Sequence, residues 1–222
     1  MTIALIDYGI GNLRSVQKAL EHVGAEVTLT DDPQTILKAE KIVLPGVGAF
    51  GDGMKGMRER GLVEVVNEVI RVGNPFLGIC VGMQLLFEES EEMGRHAGLG
   101  VLRGRVVKFQ SSATLRSDDF NRRAATQVST TKGILKVPQT GWNQIIPQKN
   151  SLLFRDLPEG SFAYFNHSYY CEAMPEDILA TTEYGVQFGS IVGRGNVYGI
   201  QFHPEKSQAV GLRLLRNFVE MG

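Results

Sequence analysis

Over its first hundred residues the chain alternates short apolar runs with amphipathic ones, and the connections are only a few residues long. Thr2 to Ile6 reads as a strand that ends in a Gly9-Ile10-Gly11 turn. From Leu13, apolar residues recur at Val16, Ala19, Leu20 and Val23, one face of a helix that Gly24 ends. Glu26 to Thr30 is a second strand, and Asp31-Asp32-Pro33 opens a helix with an acidic cap and an early proline. Lys41 to Leu44 is a third strand. A glycine-rich loop follows, then a helix over Leu62 to Val72, a strand over Pro75 to Ile79, and a new helix starting over Val81 to Phe87. Strands separated by helices pair in parallel, with the helices covering both sheet faces. The expected class is therefore α/β, a mostly parallel sheet flanked by helices. Ligands of such sheets bind beyond the carboxyl ends of the strands. Three loops lie on that edge: Asp7 to Asn12, Pro45 to Asp52, and Gly78 to Gly82.

The second half changes character. Arg105 to Phe109, Phe162 to Phe165, Ile178 to Thr182 and Val186 to Val192 are β-type runs joined by turns, which adds antiparallel strands. A helix over Ser207 to Val219 closes the chain. Residues 111–132 are polar and lack an apolar period, so they are expected to form a mobile surface loop. With 222 residues, 43% of them hydrophobic, the chain reads as one domain over 1–222. A net charge of −1 gives no pull toward nucleic acid or an anionic membrane. No apolar run approaches the roughly 20 residues a spanning helix needs, and MTIALIDYG opens directly on a strand, so no leader segment is expected. Two cysteines are too few for a disulfide framework and fit a reducing, cytoplasmic setting. The four histidines lack metal-ligand spacing, and Arg14 replaces the third glycine of a dinucleotide loop. Neither a metal nor a cofactor is expected.

The stretch GICVGMQ, residues 78 to 84, places a thiol between two glycines where a strand turns into a helix. This is the arrangement of a nucleophile elbow. The glycines are expected to supply the turn's unusual backbone and room for substrate beside an exposed Cys80. The helix dipole would favour a thiolate, and the Val81 N–H would be one oxyanion donor. Gln84, four residues on, shares the Cys80 side and suits a polar substrate. A base is available in Gln201-Phe202-His203-Pro204-Glu205. Pro204 holds His203 extended, so His203 and Glu205 would share a face, with the carboxylate orienting the imidazole. Val47, in the small Pro45-Gly46-Val47-Gly48 loop, is the candidate for the second oxyanion donor.

Each residue alone has a plainer reading. Cys80 would be a small buried hydrophobe, His203 a structural histidine, Glu205 a solvated charge, and Asn12 a helix N-cap. Cys171 reads as packing, and His167-Ser168-Tyr169 is either structural or substrate-facing. The combination outweighs these readings, because the turn-borne thiol and the His-Pro-Glu run both fall on the functional edge.

Together the Pro45–Gly48, Gly78–Gln84 and Gln201–Glu205 motifs resemble the class I (triad) glutamine amidotransferases. More narrowly, Asp7-Tyr8-Gly9-Ile10-Gly11-Asn12-Leu13, Gly141-Trp142-Asn143, His167-Ser168-Tyr169 and His203-Pro204-Glu205-Lys206-Ser207 resemble the glutaminase subunits of imidazole glycerol phosphate synthases. The resemblance covers nearly the whole chain. It implies a flavodoxin-like sheet and catalysis by Cys80, His203 and Glu205 through a glutamyl thioester on Cys80. It also implies an oxyanion hole at Val47 and Val81, and a glutamine site at Gly48, Gln84, His167, Ser168 and Tyr169. Ammonia would pass to a (β/α)8-barrel cyclase in a heterodimer. That partner would make imidazole glycerol phosphate and an aminoimidazole-carboxamide ribonucleotide, and Asn12 and Lys206 would lie at the interface. Gln139 stands where the resemblance expects a histidine. The competing readings are another triad hydrolase, such as a γ-glutamyl hydrolase, and a noncatalytic subunit with Cys80 as a redox sensor.

Overall fold

The computed structural model describes residues 2–110 and 135–221. The polar loop expected at 111–132 lies outside the described residues. In chain order the first half runs β1 (Thr2–Ile6), α1 (Leu13–His22), β2 (Glu26–Thr30), α2 (Pro33–Lys38), β3 (Lys41–Gly46), α3 (Phe50–Glu59), α4 (Leu62–Arg71), β4 (Phe76–Cys80) and α5 (Val81–Gln84). The second half runs β5 (Phe87–Ser90), β6 (His96–Ala97), β7 (Leu102–Lys108), β8 (Gln139–Gln144), β9 (Ile146–Pro147), β10 (Phe162–His167), β11 (Tyr169–Ala173), β12 (Ile178–Glu183), β13 (Gln187–Arg194), β14 (Val197–Ile200) and α6 (Gln208–Glu220). Two 3-10 turns, Leu152–Phe154 and Pro204–Lys206, complete the order.

The main sheet has the order β2-β1-β3-β4-β14-β13-β12-β9. Its first five strands are parallel neighbours, and the last three pair antiparallel. The expected mostly parallel sheet with added antiparallel strands is present. Two smaller sheets, β10-β8 and β11-β7-β5-β6, stand beside it. Strands β3 and β4 are buried along their whole length, as strands covered on both faces must be.

Helix α3 falls where only a glycine-rich loop was expected. Its sequence, FGDGMKGMRE, holds three glycines, which sequence propensity counts against a helix. Packing explains two of them. A Cβ on Gly56 would sit 2.2 Å from the Tyr8 carbonyl oxygen, and one on Gly53 would press on Leu85 at 3.3 Å. The glycines let α3 lie directly on the loop that follows β1 and on Leu85. At the opposite end of the sheet, buried Lys41 donates to the carbonyls of Phe218, Val219 and Met221. This caps the last turn of α6 and ties it to β3.

Candidate active site

Cys80 is the last residue of β4 and has φ 55° and ψ −112°. A non-glycine residue held at positive φ is strained, and such strain gathers where function needs a fixed side chain. The expectation that the flanking glycines supply the unusual backbone is corrected here, because the positive φ falls on Cys80 itself. The glycines serve close packing instead. A Cβ on Gly82 would lie 1.9 Å from the Leu44 carbonyl oxygen, and one on Gly78 would lie 2.6 Å from the Gly82 carbonyl oxygen. Cys80 is 4% exposed, so it sits at the bottom of a cavity and not on an exposed turn.

The helix expected over Val81 to Phe87 is also shorter than expected. α5 is a single turn over Val81–Gln84, and Phe87 already begins β5. One turn carries little macrodipole beyond its own first N–H groups, so another source of positive charge is needed beside the thiol. His203 supplies it. Ile200 is in register with Ile79 across β14 and β4, so the residues after β14 arrive beside Cys80. Gln201 Nε2 lies 3.9 Å from Cys80 Sγ. His203 and Cys80 line the same cavity, and the His203 Nδ1 lies 3.0 Å from Glu205 Oε1 on its other side.

His203 is extended, at φ −98° and ψ 96°, as expected of a residue before proline. Glu205 reaches it differently from the expected shared face of an extended run. The 3-10 turn over Pro204–Lys206 folds the carboxylate back onto the ring. Glu205's side chain is 1% exposed, so the pair is shielded from water. Burial alone would lower the imidazole pKa, but the hydrogen bonds to Cys80 and Glu205 outweigh it and push it up to about 10. An imidazolium beside Cys80 stabilises negative charge on the sulfur and holds a proton ready for a leaving group.

A cavity of about 250 Å³ opens over Cys80. Its lining includes Val47, Gly48, Cys80, Val81, Gln84, His167, Ser168, Tyr169 and His203, all of them sequence-predicted site residues. Gly46 is in register with Cys80, which brings the Val47–Gly48 loop over the thiol. Gly48 has φ +96°, a conformation that suits glycine. Gln84 is held by hydrogen bonds from Nε2 to the Tyr169 carbonyl (3.1 Å) and Gln201 Oε1 (3.2 Å). His167 Nδ1 lies 2.7 Å from the Tyr169 carbonyl. Its ring packs among Phe109, Phe165 and Phe188. That burial lowers its pKa to about 4, and the charge of His203 adds to the effect. His167 is therefore neutral near pH 7, with Nδ1 donating to the carbonyl.

Three lining residues were not anticipated: Glu92, Pro138 and Asn166. Glu92 follows β5 in an acidic run that reads as a solvated turn, but its Oε2 accepts from the Phe50 N–H at 2.7 Å, which pins the carboxylate at the cavity. Asn12 and Lys206 lie outside the lining. Asn12 occupies the N-cap position of α1, but its side chain makes no capping bond, so the capping explanation fails. Lys206 Nζ sits 5.9 Å from the centre of the Tyr164 ring, and Trp142 packs edge-on against the same ring at 6.1 Å. Cys171 is a buried free thiol, and burial raises its pKa well above the ordinary value, in keeping with a packing role. Among the described residues no cluster of three or more His, Cys, Asp or Glu side chains is arranged to hold a metal. Nor is any helix there long and apolar enough to cross a membrane.

Comparison with known proteins places these features in context. The family model for glutamine amidotransferase class-I matches residues 4–221. Imidazole glycerol phosphate synthase subunit HisH of Geobacter metallireducens is 48% identical over 218 residues, covering 98% of this chain and 97% of that protein. The subunit of the same name from Geobacter sulfurreducens is 49% identical, covering 99% of this chain and 98% of that protein. The one from Methanosarcina mazei is 47% identical at the same coverage. Among solved structures, one described as a glutamine amidotransferase superimposes with a TM-score of 0.69 at 21% identity, over 98% of this chain and 97% of that one. PurLQS from Thermotoga maritima gives 0.68 at 18% identity, again over 98% and 97%. Those two structures share the fold.

Proposed function

The chain belongs to the class-I glutamine amidotransferase family, and from that premise we propose that Cys80, His203 and Glu205 form its catalytic triad. Its activity is that of the glutaminase subunit of an imidazole glycerol phosphate synthase. The observation that carries the site assignment is the buried chain of contacts from Cys80 to His203 to Glu205 at the floor of a polar cavity.

Cys80 Sγ attacks the side-chain carbonyl carbon of glutamine, and the Val47 and Val81 N–H groups receive the oxyanion. His203 gives its proton to the amide nitrogen, the C–N bond breaks, and ammonia leaves a glutamyl thioester. Water then attacks the thioester carbon while His203 takes up its proton. The C–S bond breaks, glutamate leaves, and Cys80 stands free again beside protonated His203. Glu205 fixes the ring and stabilises imidazolium throughout. Glu92 supplies a carboxylate for the substrate's α-ammonium. Gly48, Gln84 and the His167-Ser168-Tyr169 segment border the rest of the glutamine site.

The synthase name implies a cyclase partner, and we assign it the (β/α)8-barrel fold and the role of ammonia acceptor. The outer face of the two-stranded β8–β10 sheet suits its docking. Trp142 is 45% exposed there, beside Tyr164 and Lys206, while Asn166 on the same face of β10 lines the active-site cavity. An ammonia-delivering site needs such continuity between its floor and its docking face. Asn12, with its side chain free of a capping role, is assigned to the same interface.

The test is glutamate release from glutamine by the wild-type chain and by Cys80→Ala, each with and without the cyclase and its nucleotide ligand. Release that depends on Cys80 and rises with the liganded cyclase supports the whole reading. Cys80-dependent release indifferent to the cyclase would leave a different triad hydrolase. Release that survives Cys80→Ala would refute the triad.

A further inference from the structure

Ser207 follows the triad loop and is fully buried. Its hydroxyl donates to the His203 carbonyl at 2.7 Å and accepts from the Tyr164 backbone N–H at 3.0 Å. It lies outside the cavity lining, so it touches neither substrate nor reacting atoms. Two further bonds close the same knot: the His203 N–H donates to the Tyr164 carbonyl at 3.0 Å, and the Ser207 N–H donates to the Pro204 carbonyl at 3.1 Å. The main chain of the base is thus sewn to one residue of β10 from both sides, and only one of those stitches is a side chain.

A serine is well matched to this position. One hydroxyl offers one donor and an acceptor, and both are used here. Alanine would leave the His203 carbonyl and the Tyr164 N–H without that partner in a buried place. The space around the turn is also tight. A Cβ on Gly211 would sit 1.9 Å from the Pro204 carbonyl oxygen, so α6 lies directly against the turn that carries Glu205. The Gly211 N–H donates to the Ser207 carbonyl at 3.1 Å, which sets the start of α6 from the same residue.

We infer that Ser207 is a positioning residue for the glutaminase reaction: its hydroxyl pins the His203 main chain to β10 and so holds the imidazole between Cys80 and Glu205. The inference rests on the triad reading above. Tyr164 gives it a second consequence. The backbone of that residue holds His203 and Ser207, while its ring carries Lys206 and Trp142 on the outer face. Ser207 therefore sits on one of two hydrogen-bonded paths from that face to the base, the other being the His203 N–H on the Tyr164 carbonyl.

The experiment compares wild type, Ser207→Ala and Ser207→Cys in complex with the liganded cyclase, with glutamate release counted per alkylatable Cys80. A base held about an ångström out of place costs on the order of 10²-fold in turnover. Ser207→Ala is expected to lose roughly 10- to 100-fold in kcat while KM for glutamine stays within about threefold, since the cavity lining is untouched. The alkaline limb of kcat/KM should also move to lower pH. The titratable groups around His203 are Cys80, Glu205 and His167, and a displaced imidazole loses the two contacts that hold its proton. Ser207→Cys keeps the shape and a weak donor, so it should fall between the two, and it gives the reading if the alanine protein does not fold. Unchanged kcat overturns the inference. So does a loss of activity whose pH profile stays where it was, because that is loss of folded protein alone. If wild type itself shows no Cys80-dependent release, the triad reading fails, and this outcome is distinct from either.

Discussion

Replacing Gly82 with alanine tests whether backbone contact, and not substrate room, explains the glycines around Cys80. The added Cβ would meet the Leu44 carbonyl oxygen at 1.9 Å and the Leu44 carbonyl carbon at 2.8 Å. Both are main-chain atoms inside β3, so no flexible side-chain end can yield. Ordinary contact begins near 3.4 Å, so the start of α5 must retreat from β3 by roughly 1.5 Å. Overpacking of a dense interior typically costs 1–3 kcal/mol, and a clash between two backbones belongs at the upper end, about 3 kcal/mol. The retreat also separates Val81 and Cys80 from the Val47–Gly48 loop, which β3 carries. A displacement of that size is expected to lower glutaminase kcat on the order of 10²-fold. The control is Gly24→Ala, at φ +98° with open space around the added atom. It should cost about 1–2 kcal/mol through backbone strain alone, and turnover per folded molecule should stay at the wild-type value. Denaturant unfolding gives the stabilities, and glutamate release with the cyclase present gives the rates. A Gly82→Ala protein with kcat within threefold of wild type would refute the packing account and return Gly82 to the role of clearing space.

Glu205→Gln keeps the shape but removes one of the two contacts that raise the His203 pKa to about 10. The alkaline limb of kcat/KM should fall toward neutral pH, with kcat down on the order of 10²-fold. The stability linkage has the same sign. The folded His203 pKa lies above the ordinary 6.5, so its contribution is complete below about pH 6.5 and disappears as pH rises to about 10. Urea melts between those limits should fall less steeply with pH in the variant. His167, lowered to about 4, acts in the opposite direction: its contribution is complete above about pH 6.5 and lost as pH falls to about 4. His167→Gln should flatten the acid-side loss of stability by up to ~1.4 kcal/mol per pH unit. Lys41→Met leaves three carbonyls at the end of α6 without their charged donor, and should cost about 2–3 kcal/mol in denaturant melts while turnover per folded molecule stays unchanged. Phe109→Leu loosens the aromatic packing behind His167 and Ser168, so KM for glutamine should rise about tenfold with kcat nearly constant; a fall in kcat alone would contradict this.

Most of the parallel half of the sheet was legible because its strands, with α1, α2 and α4, announce themselves by period and by punctuation. Thr2–Ile6 and Glu26–Thr30 match the expected strands residue for residue. What the sequence concealed depends on contacts between distant segments. Helix α3 is glycine-rich because the loop after β1 and Leu85 lie against it, and nothing local to Phe50–Glu59 reveals them. Helix α5 stops after one turn because Phe87 pairs with Leu102 in the sheet formed with β7. The strain at Cys80 was assigned to the glycines beside it, since glycine is the residue that ordinarily takes positive φ. Only the approach of Leu44 shows that Gly82 is needed for another reason. Glu92 was missed for a similar cause: an acidic run after a strand looks solvated until the Phe50 N–H is found on its carboxylate.

The same division separates chemistry from recognition. Every proposed catalytic group sits at the end of, or shortly after, one of three hydrogen-bonded neighbours, β3, β4 and β14, whose register aligns Gly46 with Cys80 and Ile200 with Ile79. A one-residue slip in any of these pairings would turn side chains to the opposite face of the sheet, so burial of all three strands fixes the proposed triad as firmly as it fixes the core. Besides Gly48 and Gln84, the groups proposed to border the substrate come from elsewhere. His167 ends β10, Tyr169 begins β11, and Glu92 follows β5, all of them in the smaller sheets. Those sheets meet the main one through Phe109, Phe165 and Phe188, side-chain contacts that can shift without breaking a ladder of backbone hydrogen bonds. The Tyr164 backbone joins the two parts, because the Ser207 hydroxyl and the His203 N–H, both after β14, bond to it on β10. An event on the outer face of β10 therefore has two short hydrogen-bonded routes to the proposed base, one through the Tyr164 carbonyl and one through Ser207, whereas the proposed nucleophile sits on the central sheet.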